Sequence, residues 1–117
     1  MLSESQRTTI LDFLQKGIRH HENAINMVRS KGTFRKGALE KDSDIKVEFK
    51  KAEKLYEKVL KIDSKNYDAL RHLGIIDLDQ GGFKKAERYF KKAISVWSDR
   101  HEAYNNLGSL HIRLDNI

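Results

Sequence analysis

Apolar residues recur along most of this chain at spacings of three and four, the pattern typical of amphipathic helices. In the N-terminal third the pattern predicts one long helix from about Ser5 to Arg29. A second helix is predicted from about Ser43 to Ile62, followed by a helix pair over residues 67–97 and a last helix over 99–116. All predicted elements are helices, so the sequence predicts an all-α fold.

The first predicted helix is the least regular of the set. Its apolar positions are Ile10, Leu11, Leu14, Ile18, Ile25 and Val28. Gly17 lies among them and is expected to weaken the helix by about 1 kcal/mol relative to alanine. A basic loop over residues 30–42 is predicted to follow. An alternative helix over Thr33–Val47 is disfavoured, because Lys36, Glu40 and Ser43 would occupy its buried positions.

The chain contains an internal repeat of 34 residues. When the sequence is shifted by that length, segment 49–53 falls on the identical segment 83–87, and Leu73-Gly74 falls on Leu107-Gly108. The abundance of lysine could align the charged positions, but it could not align the Leu-Gly pairs. A repeat of this length indicates helix pairs that bury their apolar faces by stacking on their neighbours.

The repeat length and its small and apolar positions resemble the tetratricopeptide repeat (TPR) family. The large apolar, Leu and Gly positions of that family's first helix are matched by Leu70, Leu73 and Gly74. The Ala, aromatic and Ala positions of its second helix are matched by Ala86, Phe90 and Ala93. Gly81-Gly82 is similar to the turn between the two helices.

The resemblance implies a TPR-type α–α superhelix of antiparallel helix pairs, with about two repeats plus a terminal helix in one domain over residues 1–117. The first repeat would be degenerate and cover 5–63, with residues 30–42 as an inserted basic loop. Residues 67–97 would form a complete repeat, and 99–116 the first helix of a further repeat or a capping helix.

Small residues in this pattern are expected to let neighbouring helices approach closely. They are Gly74, Ala86, Ala93 and Gly108. Ser64 and Ser98 stand where the family usually has proline. Each is expected to mark a helix start, because a serine side chain accepts a hydrogen bond from a free backbone N–H.

Catalytic and metal-binding chemistry finds no support in the residue pattern. Cysteine is absent, which excludes disulfides and cysteine-based zinc sites. His20 and His21 are adjacent and would diverge on a helix, so they make a poor chelate. No phosphate-binding glycine loop, nucleophile elbow or HExxH motif occurs. We therefore expect no catalytic residue, no metal, no cofactor and no enzymatic activity.

The start of the chain lacks the basic segment and apolar run of a secretory signal. No stretch approaches the ~20 apolar residues of a membrane span. With Met1 taken as the native start, the expected location is the cytoplasm, without membrane contact.

The net charge of +6 is concentrated in lysine-rich helix faces. The basic positions of these faces are Lys46, Lys50, Lys54, Lys58, Lys61, Lys65, Lys84, Lys85, Arg88, Lys91 and Lys92. Glutamates interleave with them, which favours a solvated face with ion pairs over a nucleic-acid site. Binding of nucleic acid through these faces is kept as a disfavoured alternative.

The resemblance implies a concave groove lined by the first helices of each pair. Its candidate binding residues are Arg71, Ile75, Asn105, Asn106, Ser109 and Arg113. Arg71 and Asn106 are similar to part of the clamp with which some TPR proteins hold a terminal carboxylate. Ile75 stands where a second clamp asparagine is expected, so a mixed polar and apolar peptide groove is favoured over a full clamp.

The expected function is a protein–protein interaction scaffold that holds a peptide or helix of a partner. The alternative is an accessory TPR region of a larger enzyme such as a transferase.

The last predicted helix carries an apolar stripe with no later helix to cover it. Its positions are Tyr104, Leu107, Leu110 and Leu114. The open ends of helical solenoids normally carry polar caps. This stripe therefore predicts either a covering helix in a longer protein or a homodimer through the open C-terminal helix.

Overall fold

The computed structural model describes residues 1–30 and 43–115, which contain five α-helices and no strand. The helices are α1 (Glu4–Ser30), α2 (Ser43–Ile62), α3 (Tyr67–Asp79), α4 (Phe83–Val96) and α5 (Glu102–Asp115). The all-α prediction is confirmed for this part of the chain, and so are the predicted bounds of α1 and α2 to within one residue. The predicted basic loop, beyond Ser30, lies outside the described residues, as do residues 33–42 of the disfavoured alternative helix.

The chain divides into two compact units, Met1–Lys58 and Val59–Ile117. The first unit contains α1 and most of α2. Its buried side chains are Ile10, Ala24, Val28, Ile45, Phe49, Ala52 and Tyr56. They recur at helical spacing on each helix. In α1 the buried face differs from the predicted apolar positions, because Ile10 and Val28 are buried whereas Leu11 and Ile18 are exposed. No helix in residues 1–30 and 43–115 is long and apolar enough to cross a membrane.

Gly17 has a packing role in the first unit that sequence reasoning missed. A Cβ atom at Gly17 would lie 2.8 Å from ring atoms Cε1 and Cζ of Tyr56, closer than side-chain carbons approach one another. Tyr56 is fully buried, so its ring cannot turn out into solvent without leaving the core. The expectation that Gly17 only weakens α1 is therefore incomplete, because the missing side chain makes room for this ring.

The second unit is built around α3 and α4, which pack against each other along their length. A turn at Gly81 and Gly82 joins them, and Gly81 adopts a φ of 82°, a left-handed conformation that favours glycine. The N–H of Gly82 donates to the carbonyl of Asp77 at 2.7 Å, closing the turn. The predicted turn is thus confirmed. Because this turn reverses the chain, the start of α4 lies beside the end of α3, and Ala86 and Leu78 share one buried cluster.

Two apolar clusters form the core of the second unit. One contains Tyr67, Leu70, Ala93 and Ala103. The other contains Leu78, Ala86, Phe90 and Leu110. Both clusters draw on α3, α4 and α5, so the three helices bury one another's apolar faces.

The starts of α3 and α5 differ from the serine caps that the sequence predicts. Asn66, not Ser64, caps α3, and its side-chain oxygen accepts from the N–H of Ala69 at 2.9 Å. At α5, which begins well after Ser98, the hydroxyl oxygen of Tyr67 accepts from the N–H of Ala103 at 3.0 Å. The first N–H groups of a helix have no partner within it, so any nearby acceptor can replace a serine.

Close approach at the predicted small residues is confirmed at Gly74 but not at Gly108. A Cβ atom at Gly74 would lie 2.5 Å from Cε1 of Phe90, so only glycine fits there. A Cβ atom at Gly108 would have nothing within 4 Å. The two glycines occupy matching places in the repeat but have opposite surroundings. The prediction for Gly108 is therefore wrong for the described part of the chain.

Candidate functional site

Two of the predicted groove residues come together across α3 and α5. The Arg71 Nη1 atom donates to the Asn106 Oδ1 atom at 3.3 Å, and both residues are half-buried. In the described part of the chain, the Nε atom of Arg71 is buried and has no hydrogen-bond partner. An arginine carries five N–H donors in a planar fork, and this contact uses one of them.

Arg113 contacts the backbone of α3 and not one of its side chains. Its Nη1 atom donates to the carbonyl oxygen of Leu78 at 3.4 Å, in the last turn of α3. The last carbonyls of a helix lack partners within the helix, and a cation is favourable beside them. Arg113 therefore has a structural contact that connects the end of α3 to α5, although the residue is largely exposed.

The other three predicted groove residues are not joined to this pair. Ile75 is half-buried and packs against the cluster that contains Phe90 and Leu110. Asn105 and Ser109 are exposed on α5. The structure thus assembles a compact polar pair, Arg71 with Asn106, rather than six converging side chains.

An aromatic and basic cluster beside this pair was not predicted from the sequence. The guanidinium carbon of Arg100 lies 3.8 Å from the ring centroid of Trp97 and 5.5 Å from that of Tyr67. The two rings meet edge to face at 5.9 Å. Trp97 remains 45% exposed, so the cluster presents an aromatic surface to solvent. The signal in the sequence was the single tryptophan, Trp97, at the end of the predicted helix pair.

Tyr67 and Glu102 are linked within this cluster. The Tyr67 hydroxyl donates to the Glu102 Oε2 atom at 3.1 Å. Burial raises the pKa of Tyr67, and the nearby carboxylate acts in the same direction. Burial alone would raise the pKa of Glu102, but the hydrogen bond from Tyr67 and the nearby charges of Arg100 and His101 bring it below its ordinary value. Both groups therefore keep their hydrogen bond at neutral pH, with the phenol as donor and the carboxylate as acceptor.

The basic faces predicted from the sequence divide into paired and unpaired cations. The Lys91 Nζ atom lies 3.0 Å from the Glu87 Oε1 atom, an ion pair of the kind that the sequence predicts. Three other cations of α4 line a depression of about 370 Å³ together with Tyr89. They are Lys85, Arg88 and Lys92, all exposed, and none has a carboxylate partner in the described part of the chain. This part of the basic face therefore presents three cations to solvent.

His20 and His21 have different partners, although they are adjacent in the sequence. The His20 Nδ1 atom lies 2.6 Å from the Glu48 Oε2 atom, and the His21 ring lies 5.9 Å from that of Phe49. The hydrogen bond with His20 lowers the pKa of Glu48, with smaller help from Lys51. Among residues 1–30 and 43–115, no group of three or more histidine or carboxylate side chains is placed to hold a metal ion.

Related proteins would be an independent source of information about these surfaces. No protein-family model matches the chain, and no curated protein matches it. Inference about function therefore depends on the side chains of α3, α4 and α5.

Proposed function

We propose that this chain is a TPR-type helical array that serves as a protein-interaction module without enzymatic activity. Support comes from a glycine–aromatic contact that occurs in both units. Gly17 faces the ring of Tyr56, and Gly74 faces the ring of Phe90. Tyr56 and Phe90 are one repeat length apart, as expected of equivalent second helices in successive repeats.

The Arg71–Asn106 pair is the observation that carries the proposed binding site. Its one contact occupies the Asn106 carbonyl oxygen and leaves the amide N–H groups of Asn106 beside the guanidinium of Arg71. Together the two side chains offer donors from two helices to a single acceptor. A peptide carboxylate or a backbone carbonyl is such an acceptor, and charge-assisted hydrogen bonds to it are the strong ones.

Ile75 adds an apolar element one helical turn after Arg71. Its side chain is half-buried against the core cluster, which holds its position. A ligand that fits both features carries an acceptor group next to an apolar side chain. We therefore propose a short peptide segment of a partner protein as the ligand, bound along α3 and α5.

The test starts with peptides selected from a displayed library against the full chain. Arg71→Ala and Asn106→Ala should each weaken a selected peptide by about tenfold, because each removes a hydrogen bond to a charged or polar acceptor. Lys84→Ala, which changes an exposed residue of α4, is the matched control and should leave the affinity unchanged. Equal affinities for all four proteins, measured by calorimetry, would place the site elsewhere.

The depression lined by Lys85, Arg88 and Lys92 supports a second candidate, the binding of a polyanion such as nucleic acid. Three exposed cations on one helix face would release counterions when they bind phosphates, so affinity would fall steeply with salt. Lys85→Ala with Arg88→Ala would then abolish binding of a single-stranded oligonucleotide, whereas Arg71→Ala would not. A titration at two salt concentrations distinguishes this candidate from the peptide site.

A further inference from the structure

The depression on α4 combines three cations with an aromatic ring. Lys85, Arg88 and Lys92 follow one another at spacings of three and four, so they lie along one face of the helix. Tyr89 belongs to the same face, and the four side chains line a volume of about 370 Å³. Lys85 and Lys92 are separated by about 10 Å of helix. Three long, flexible side chains around one tyrosine can therefore reach the same bound group.

The Tyr89 ring is held from beneath by the core. The residue is half-buried and packs against the cluster that contains Leu70 and Ala93, while another part of its surface faces the depression. The three cations around it are exposed. Surfaces that bind single-stranded nucleic acid combine the same two elements: an aromatic ring on which a base stacks and cations that contact the phosphates.

The glutamate that interrupts these cations in the sequence lies elsewhere on the helix. Successive residues of an α-helix are turned by about 100°, so Glu87 lies on the opposite side of α4 from Lys85. Its Oε1 atom lies 3.0 Å from the Nζ atom of Lys91. The mixture of charges along the sequence therefore differs from the charge of this face, which is purely basic among the four side chains that line the depression.

The matching face of α2 has the cations without the ring. A shift of one repeat length gives the corresponding basic positions Lys51, Lys54 and Lys58. Leu55 stands where α4 has Tyr89, and it is half-buried as well. One of the α2 cations also has a carboxylate nearby, since the Lys51 Nζ atom lies 3.7 Å from the Glu48 Oε1 atom. The chain thus contains two basic faces of the same spacing that differ in their aromatic content.

We propose that the face formed by Lys85, Arg88, Tyr89 and Lys92 binds single-stranded nucleic acid by stacking one unpaired base on Tyr89, with the three cations on the flanking phosphates. The inference rests on the second candidate function proposed above and adds the feature that is recognised, an unpaired base. A double helix offers phosphates to the cations, but its bases are stacked on one another. An acidic peptide without aromatic residues offers charge alone.

The probe is a labelled single strand of about eight thymidine nucleotides, a length within the usual range for such surfaces. An abasic strand of the same length and backbone is the comparison. In fluorescence-anisotropy titrations of the full chain, the thymidine strand should bind about tenfold more tightly, because only its bases can stack on the ring. Equal affinities for the two strands would overturn the proposal, and so would equally tight binding of a duplex of that length.

Tyr89→Leu gives the sharper test, because Leu55 shows that a leucine fits the matching position of the repeat. The variant should lose the preference for the thymidine strand and keep the affinity of wild type for the abasic strand. Tyr89→Phe retains the ring and should retain the preference. Thermal melts check that both variants are folded. A preference that survives in the Tyr89→Leu protein would overturn the proposal.

The cations are tested with two double variants that lose the same charge. Lys85→Ala with Lys92→Ala should weaken both strands by the same factor and make their affinity less sensitive to salt. Lys51→Ala with Lys58→Ala, on the matching face of α2, is the control and should leave both affinities unchanged. Equal losses from the two double variants would overturn the proposal, because the strands would then be attracted by the charge of the whole chain.

These measurements separate the inference from the candidate function on which it rests. If neither strand binds, both fail. If both strands bind equally well and only the α4 double variant weakens them, the chain binds polyanions through this face and the base-stacking inference alone fails. The peptide site at Arg71 and Asn106 is independent of either result.

Discussion

Gly17 of α1 lies directly against the ring of Tyr56 in α2, with room for a hydrogen atom but not for a methyl group. The same relationship joins Gly74 to Phe90 in the second unit. The first pair is farther apart along the chain, because residues 31–42 fall between its two helices. This contact supports the interpretation of α1 and α2 as an elongated repeat with an inserted segment.

Glycine-to-alanine substitutions should therefore have opposite signs at related positions. Gly74→Ala should lower the free energy of unfolding by about 1–3 kcal/mol through overpacking against Phe90. Gly17→Ala should also lower it, but by less, since its closest approach to the ring is longer. Gly108→Ala should raise it by up to about 1 kcal/mol. Urea unfolding of the three variants measures all of these values. A stabilised Gly74→Ala protein would contradict the packing described for α3 and α4.

Ala86 should not tolerate a larger side chain. It is fully buried between Leu78, Phe90 and Leu110, so Ala86→Leu should destabilise the chain by about 1–3 kcal/mol. Lys84→Leu on the exposed face of the same helix is the control, with an expected change within about 0.5 kcal/mol. Thermal melts of the two variants give the comparison. Similar melting temperatures for both would show that Ala86 is not a close contact between α3 and α4.

The Tyr67 hydroxyl should stabilise the start of α5. Tyr67→Phe removes the acceptor for the N–H of Ala103, a fully buried residue, and should lower the free energy of unfolding by about 1–3 kcal/mol. Tyr104→Phe, at an exposed tyrosine of the same unit, should change it by less than about 0.5 kcal/mol. Hydrogen exchange at the Ala103 amide should accelerate only in the Tyr67→Phe protein. Unchanged exchange would mean that another acceptor caps the helix.

Glu48 should make the first unit sensitive to acid. Its pKa is lowered from an ordinary value of 4.5 by the hydrogen bond with His20, and Lys51 and Asn23 favour the carboxylate as well. A lowered pKa in the folded state contributes stability above the unfolded value, and that contribution is lost as the pH falls through the folded value. Wild type should therefore exceed Glu48→Gln in stability at neutral pH.

The difference between these two proteins should shrink as the pH falls below about 4.5. Glu57→Gln, at an exposed residue of α2, is the control and should show no such convergence. Urea unfolding at a series of pH values measures the effect. If the difference in free energy of unfolding between wild type and Glu48→Gln stays constant across that series, the lower stability of the variant comes from packing and not from the lost charge.

Helix positions were predictable because they depend on local periodicity. The predicted helices over Ser5–Arg29 and Ser43–Ile62 match α1 and α2 to within one residue, and the turn at Gly81-Gly82 lies where it was expected. An apolar pattern with a period near 3.6 residues indicates a helix whatever that helix packs against. The sequence by itself therefore determined the all-α class and the helix positions, whereas packing decided that Leu11 and Ile18 of α1 are exposed and Gly17 and Ala24 are buried.

Contacts between helices were decided by the tertiary structure. The sequence placed Arg71 and Asn106 among six candidates, but only the packing of α3 and α5 brings these two side chains to 3.3 Å. The same packing places the Tyr67 hydroxyl at the start of α5 in the role predicted for a serine. Gly17 contacts the Tyr56 ring although no close approach was expected there, and Gly108 has no such contact although one was expected. Both differences depend on where a second helix lies. A spacing along one chain specifies a helix face, whereas a close approach or a cross-helix hydrogen bond requires the position of a second helix in space.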